Sequence, residues 1–404
     1  MKIVKVTAAS IALLGILIAT QVSAEEQSLQ QAIAQTKPII DLRLRYETVD
    51  QDKIAKNADA VTLRARLGFQ TGKAWNTQLL AEAGLMWALV SDYNSTTNGK
   101  TQYPVVADPD NYAINRLQLT NTTLPATTVV LGRQLINLDD QRFIGSVNWR
   151  QNEQTFNALR VTNGSLHNLT VDLTFFNQVN RVFGKDSPVG SYRGSSYLGN
   201  VSYQSAPGKL TAFAYLLDLD QAPRDSSQTY GLRFAGSHAW QGITWGYSAS
   251  YATQSEYANS PLNYEDDYQA LELSATRSGF SLTAGLERLD GNGVKGFTTP
   301  LATLHKFQGW ADKFLTTPVN GVEDQYLALG YVRKPAGALD SLSFAAVGHQ
   351  FNSERLSIDY GSELDLLAQV TYHRYALILK YADYNADAFA TDTQKVWLQL
   401  EYLR

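Results

Sequence analysis

Residues 41–47 read Asp-Leu-Arg-Leu-Arg-Tyr-Glu, and residues 62–67 read Thr-Leu-Arg-Ala-Arg-Leu. Side chains along a strand point to opposite faces in turn. Leu42, Leu44 and Tyr46 therefore share one face, and Asp41, Arg43, Arg45 and Glu47 share the other. In the second stretch Leu63, Ala65 and Leu67 oppose Arg64 and Arg66. An arginine turned toward hydrocarbon costs about 2–4 kcal/mol at the bilayer midplane. The charged rows must face a wet interior and the apolar rows lipid, which is the pattern of a transmembrane β-barrel.

The same alternation recurs along the chain. It predicts strands at 39–48, 60–70, 77–89, 112–122, 126–135, 154–163, 168–179, 196–205, 209–219, 228–238, 243–254, 267–277, 280–289, 324–333, 341–352, 364–373, 375–384 and 394–402. These make an all-β, antiparallel up-and-down barrel of about 18 strands. Connections alternate in length. Tight turns fall at Thr71-Gly72-Lys73-Ala74, Leu124-Pro125-Ala126, Asn163-Gly164-Ser165, Ala206-Pro207-Gly208, Trp240-Gln241-Gly242, Ser278-Gly279, Pro335-Ala336-Gly337 and His373-Arg374. Long loops fall at 49–59, 90–111, 136–153, 180–195, 255–266 and 290–323. Short periplasmic turns opposite long external loops characterise outer-membrane barrels.

The N-terminus fits that destination. Lys2 and Lys5 precede an apolar run over 6–19, and Val22-Ser23-Ala24 is a small-residue cleavage site. Residues 1–24 read as a secretory signal peptide. A short periplasmic lead, with one or two turns of helix, is expected over 25–38, and the barrel over 39–404. A mean hydropathy of −0.23 is that of a wet lumen averaged with a lipid-facing wall. The 22 tyrosines and 7 tryptophans suit aromatic belts at the two interfaces.

Composition also excludes chemistry. The chain has no cysteine, so disulfides, thiolate metal sites and cysteine nucleophiles are impossible. His167, His238, His305, His349 and His373 are dispersed without metal-ligand spacing or a serine or carboxylate constellation, so neither a metal site nor an enzyme is expected. No cofactor is expected. A formal net charge of −4 gives no reason to expect nucleic acid as a partner. The expected partners are outer-membrane lipid and small solutes, with a monomer favoured.

One segment is unlike an ordinary surface loop. Gly132-Arg133-Gln134-Leu135 runs into Asp139-Asp140-Gln141-Arg142-Phe143-Ile144-Gly145, then Trp149-Arg150-Gln151-Asn152-Glu153-Gln154-Thr155-Phe156 and Arg160. Its aromatics and mixed charges predict a loop folded back against the inner wall, buried through Phe143 and Trp149 and held by ion pairs involving Asp139, Asp140 and Glu153. Phe297, Phe307, Trp310 and Phe314 likewise predict a lid or inward constriction for the 290–323 loop. With residues 41–72, the 132–161 segment resembles the alginate-export family of outer-membrane porins. That resemblance implies an eighteen-stranded barrel passing an anionic uronate polymer such as alginate along an arginine-lined lumen. It extends to Arg43, Arg45, Arg64, Arg66, Arg133, Arg142, Arg150 and Arg160; alternation adds Arg116 to the inner face.

The function implied is a passive channel for anionic solutes, because planar guanidinium forks suit carboxylates. A general diffusion porin, in which the arginines are paired wall elements, is the alternative, as is a structural or receptor barrel.

Overall fold

The structure, a computed structural model, describes residues 29–335 and 337–403. The expected signal peptide, 1–24, lies outside the described residues. The lead holds a six-residue helix, α1 (Leu29–Ala34), which docks on the first tight turn, where Gly72 N–H donates to the Ala32 carbonyl at 2.8 Å. The lead is shorter than expected, because Lys37 and Pro38 already belong to the first strand.

Eighteen strands follow among the described residues: β1 (Lys37–Gln51), β2 (Ala58–Gln70), β3 (Thr77–Asp92), β4 (Asn111–Asn121), β5 (Thr127–Gln134), β6 (Thr155–Asn163), β7 (Leu169–Asn180), β8 (Ser191–Gln204), β9 (Lys209–Leu217), β10 (Ser227–Trp240), β11 (Ile243–Glu256), β12 (Glu265–Arg277), β13 (Phe280–Leu289), β14 (Val322–Arg333), β15 (Ser341–Asn352), β16 (Asp359–Tyr372), β17 (Tyr375–Ala386) and β18 (Thr393–Leu403). Each pairs antiparallel with its sequence neighbours, and β18 closes on β1 from Asp41 opposite Leu403 to Gln51 opposite Thr393. Closure leaves no strand edge, the condition for a sheet to exist in lipid.

The expected strands are all present, with ends shifted by a few residues. The largest shifts are in β8 and β16, which begin at Ser191 and Asp359 and shorten the loops before them. Two turns are displaced; at one, Leu169 N–H closes on the Leu166 carbonyl around His167-Asn168 instead of at 163–165. At the other, the chain reverses at Trp75-Asn76, both with positive φ (50° and 55°), and Ala74 bridges Thr77 across it. Two left-handed residues in a two-residue hairpin match strand twist, but tryptophan at such a position gives no sequence signal. Gln241-Gly242 and Ser278-Gly279 make the same reversal, and there the glycine announces it.

Alternation sorts the side chains as expected. Leu42, Leu44 and Tyr46 are exposed on the outer wall, whereas Arg43, Arg45 and Glu47 are buried inside. Leu131, Leu173, Leu232, Leu271, Leu327 and Leu400 continue the apolar belt. Exposed Tyr46, Tyr112, Tyr230 and Tyr251 stand toward the long loops, and Trp75, Tyr203, Trp240 and Phe280 toward the short turns. These two aromatic levels bracket a band that water would not tolerate and lipid would. Leu271, midway along β12 and 59% exposed, tests the assignment: Leu271→Arg lowers the barrel's unfolding free energy by about 2–4 kcal/mol in urea titrations from lipid vesicles. A change within 0.5 kcal/mol or so, the ordinary surface range, would place that face in water.

Candidate functional site

Three loops on the long-loop side turn inward and pack on one another and on inward-facing strand residues. Residues 135–154, between β5 and β6, form the central one. Phe143 packs on Phe213, Tyr268 and Phe297 with ring centroids 5.0, 5.2 and 6.1 Å away. Trp149 stacks on His305 at 4.4 Å with the rings nearly parallel, and Arg45 covers the Trp149 ring at 4.1 Å. The 290–321 loop lies alongside: Ile144 bridges Leu301, and Phe297, Leu301 and Phe314 are buried. The 93–110 loop contributes buried Tyr93, Val106 and Asp108. The 135–154 loop therefore folds back against the inner wall as expected, and the 290–321 loop packs beside it, through the aromatics that suggested both.

Ion pairs fasten the assembly. Arg150 reaches Glu47 on β1 at 3.2 Å, Asp312 of the 290–321 loop at 3.0 Å and Asp108 of the 93–110 loop at 3.7 Å. Burial alone would lower the Arg150 pKa, but the three carboxylates outweigh it and hold the guanidinium above its ordinary value. Arg142 binds Glu287 on β13 at 2.5 Å and Thr299 at 2.9 Å. Asp139 pairs with Lys209 on β9 at 2.9 Å, Asp140 with Arg233 on β10 at 3.3 Å, and Glu153 with Arg66 on β2 at 2.6 Å. The acidic residues thus tie the loop to both walls, not to the loop's own arginines.

Most of the arginines expected along the lumen are paired with carboxylates. Arg43 pairs with Glu401 at 2.7 Å and donates to the Asn148 and Trp149 carbonyls. Arg45 pairs with Asp108 at 3.5 Å, Arg64 with Asp41, Arg116 with Glu82 at 2.5 Å, and Arg160 with Asp172 at 2.5 Å. Of the nine expected arginines only Arg133 has no carboxylate partner among the described residues; it donates to Asn157 Oδ1 at 2.9 Å and to the Ile114 carbonyl at 2.8 Å. Burying so many guanidinium groups requires such pairing, since an unpaired buried charge costs several kcal/mol.

Pairing does not neutralise the lumen evenly. Between the 135–154 loop and the β2–β8 wall is a polar cavity of about 220 Å³ lined by Arg64, Arg66, Arg133, Arg181, Lys185 and Arg193, with Glu153 its one carboxylate. Arg64 is buried, and its Nε and Nη1 find no acceptor. Arg181 lies over the Phe183 and Tyr192 rings at 4.6 and 4.2 Å and makes no ion pair among the described residues. It also lines a second cavity of about 500 Å³ that opens toward the long loops, shared with Arg150, Lys313, Lys395 and a wall including Val105, Val147, Phe183 and Leu304. Arg181 therefore joins the two cavities. Arg43, Arg45, Arg116, Arg142 and Arg160 line neither.

Sequence reasoning missed Arg181. A bulge between Phe176 and Gln178 resets the inward parity just before it, and the aromatics that cradle it are only a weak signal. In the outer cavity His305 is held neutral: burial, then the Lys380 charge, push its pKa down to about 3 despite Asp312 at 2.7 Å. Burial and nearby Lys395 lower Lys313 to about 8. Among the described residues no group of three or more His, Asp or Glu is disposed to hold a metal.

No family model and no curated protein matches this sequence. In fold it is similar to solved outer-membrane porins. OccK9 (OpdG) of Pseudomonas aeruginosa superposes with a TM-score of 0.72 at 18% identity, over 92% of this chain and 99% of that one. OpdK of P. aeruginosa, crystallised with vanillate, gives 0.69 at 13% identity over 92% and 99%. OccAB4 of Acinetobacter baumannii gives 0.70 at 14% identity over 93% and 100%. Among these neighbours the fold is that of the OccK/OpdK porins, and the likeness to the alginate-export family finds no support in them.

Two outcomes follow from the site. Arg150→Met leaves Glu47 buried without its guanidinium partner, weakening the loop's attachment by about 3–5 kcal/mol. Planar-bilayer recordings should show higher conductance and more open-channel noise; a trace like wild type would mean the aromatics alone hold the loop. Lys313 loses its charge as pH rises through about 8, so anion preference should fall between about pH 7 and 9 in wild type and fall less steeply in Lys313→Met. An unchanged slope in the variant would assign the titration elsewhere.

Proposed function

We propose that the protein is a passive outer-membrane channel for small organic anions, which meet an apolar-walled outer cavity first and an arginine-lined inner cavity next. The observation that carries this reading is the lining of the inner cavity: of its six cationic side chains Arg64, Arg66 and Lys185 are paired with Asp41, Glu153 and Asp186, whereas Arg133, Arg181 and Arg193 meet no carboxylate among the described residues. Arg133 and Arg181 have no carboxylate to release, so a solute carboxylate can meet them without breaking an internal ion pair. Val105, Val147, Phe183 and Leu304 in the outer cavity favour an anion with an apolar body. The crystal structure of OpdK with vanillate, an aromatic carboxylate, is consistent with that class for a barrel of this fold.

A uronate polymer such as alginate is the less favoured anion, because an inner cavity of about 220 Å³ is below the 300–1,000 Å³ or so typical of drug-sized ligands and ill matched to a sugar chain. Entry and exit follow the gradient.

The test is current block by benzoate in single-channel recordings. Wild type should show resolved, concentration-dependent block. Arg133→Ala and Arg181→Ala should each weaken it roughly 10- to 150-fold, the effect of losing a charge-assisted hydrogen bond of about 1.5–3 kcal/mol. Arg160→Ala, paired with Asp172 and outside both cavities, should leave block unchanged. Equal block in all four proteins would favour a general diffusion porin, and absence of conductance a structural or receptor barrel.

A further inference from the structure

The outer wall holds a feature that solute passage does not use. Strand register aligns Arg277, Phe280, Tyr331, Phe344 and Ala368 in one outward row across β12 to β16. Where Ala275, Ala346 and Ala368 stand among these larger rings, the wall is hollowed into an apolar groove of about 720 Å³. Its size falls within the roughly 300–1,000 Å³ range of small-ligand pockets. Phe280 and Tyr331, 4.3 Å apart, pack together at its short-turn end.

That end is charged. Arg277 lines the groove, and Arg333 follows Tyr331 by two residues on the same outward face of β14. Both are exposed, and neither makes an ion pair or hydrogen bond among the described residues. Most lumen arginines of this protein are paired; these two point the other way and are not. Short turns mark the periplasmic face, so both guanidinium groups stand where phospholipid head groups begin.

We propose that this groove is a binding site for one anionic glycerophospholipid of the periplasmic leaflet. An acyl chain lies over Ala275, Ala346 and Ala368, and the phosphate sits between Arg277 and Arg333. Guanidinium forks match phosphate oxygens, and a wall in the hydrocarbon layer meets acyl chains before anything else. The inference rests on the barrel spanning a membrane and is independent of which solute crosses it.

The experiment is native mass spectrometry of the full chain released from micelles holding equal phosphatidylglycerol and phosphatidylcholine. The expected spectrum carries one retained phosphatidylglycerol per barrel and little phosphatidylcholine. Removing both arginines, Arg277→Ala with Arg333→Ala, should cut retention about 25-fold, near five-fold for each basic side chain at the membrane surface. Filling the groove, Ala346→Phe with Ala368→Phe, should abolish retention with both arginines intact. Heat-modifiable gel mobility confirms that each variant is folded. Equal retention of the two lipids by wild type, or undiminished retention in either double variant, overturns the proposal. So does a lipid-free dimer, which would make a second copy the occupant.

Discussion

The buried Arg150 guanidinium is the interaction on which the interior depends. It is the point where β1, the 93–110 loop, the 135–154 loop and the 290–321 loop meet, through Glu47, Asp108 and Asp312. Taking these charges from water is costly, and only their mutual attraction in a poorly solvated interior offsets it. The pairing therefore specifies geometry more than it supplies stability. With Arg150 fixed, Trp149 is set between Arg45 and His305, and the loop lies across the lumen.

The placement of the loop decides where positive charge survives. Carboxylates on the wall and on the loop are spent on the arginines that hold the constriction, from Arg43 at Glu401 to Arg142 at Glu287. The β4–β8 side has fewer acidic side chains facing inward, so Arg133 and Arg181 remain uncompensated beside Arg64. A chain with net charge −4 thus encloses a cavity lined by six cationic side chains and one carboxylate. Net charge bears on solubility and long-range steering; it says little about a path that only a few side chains wide.

The barrel was legible in the sequence because lipid on one side and water on the other enforce a period of two on each strand. Residues 41–47 and 62–67 carry that period without interruption, and β1 and β2 are where they fall. Phe143, Trp149, Phe297 and Phe314 also betrayed an inward fold, since four large aromatics in two loops need a core. Partners were not legible. Glu47 and Arg150 are 103 residues apart in the chain, and nothing local distinguishes a paired arginine from a free one. Arg181 stayed hidden behind a β-bulge, and the reversal at Trp75-Asn76 behind residues that rarely take positive φ.

In the proposed channel, uncompensated guanidinium groups set the selectivity of the lumen. The most direct measurement is the reversal potential of the purified wild-type barrel in a planar bilayer across a potassium chloride gradient. The account predicts a potential displaced toward the chloride equilibrium value, with the displacement shrinking at high salt as the charges are screened. A potential displaced toward potassium would contradict it, since the carboxylates that hold the loop would then dominate the path as well.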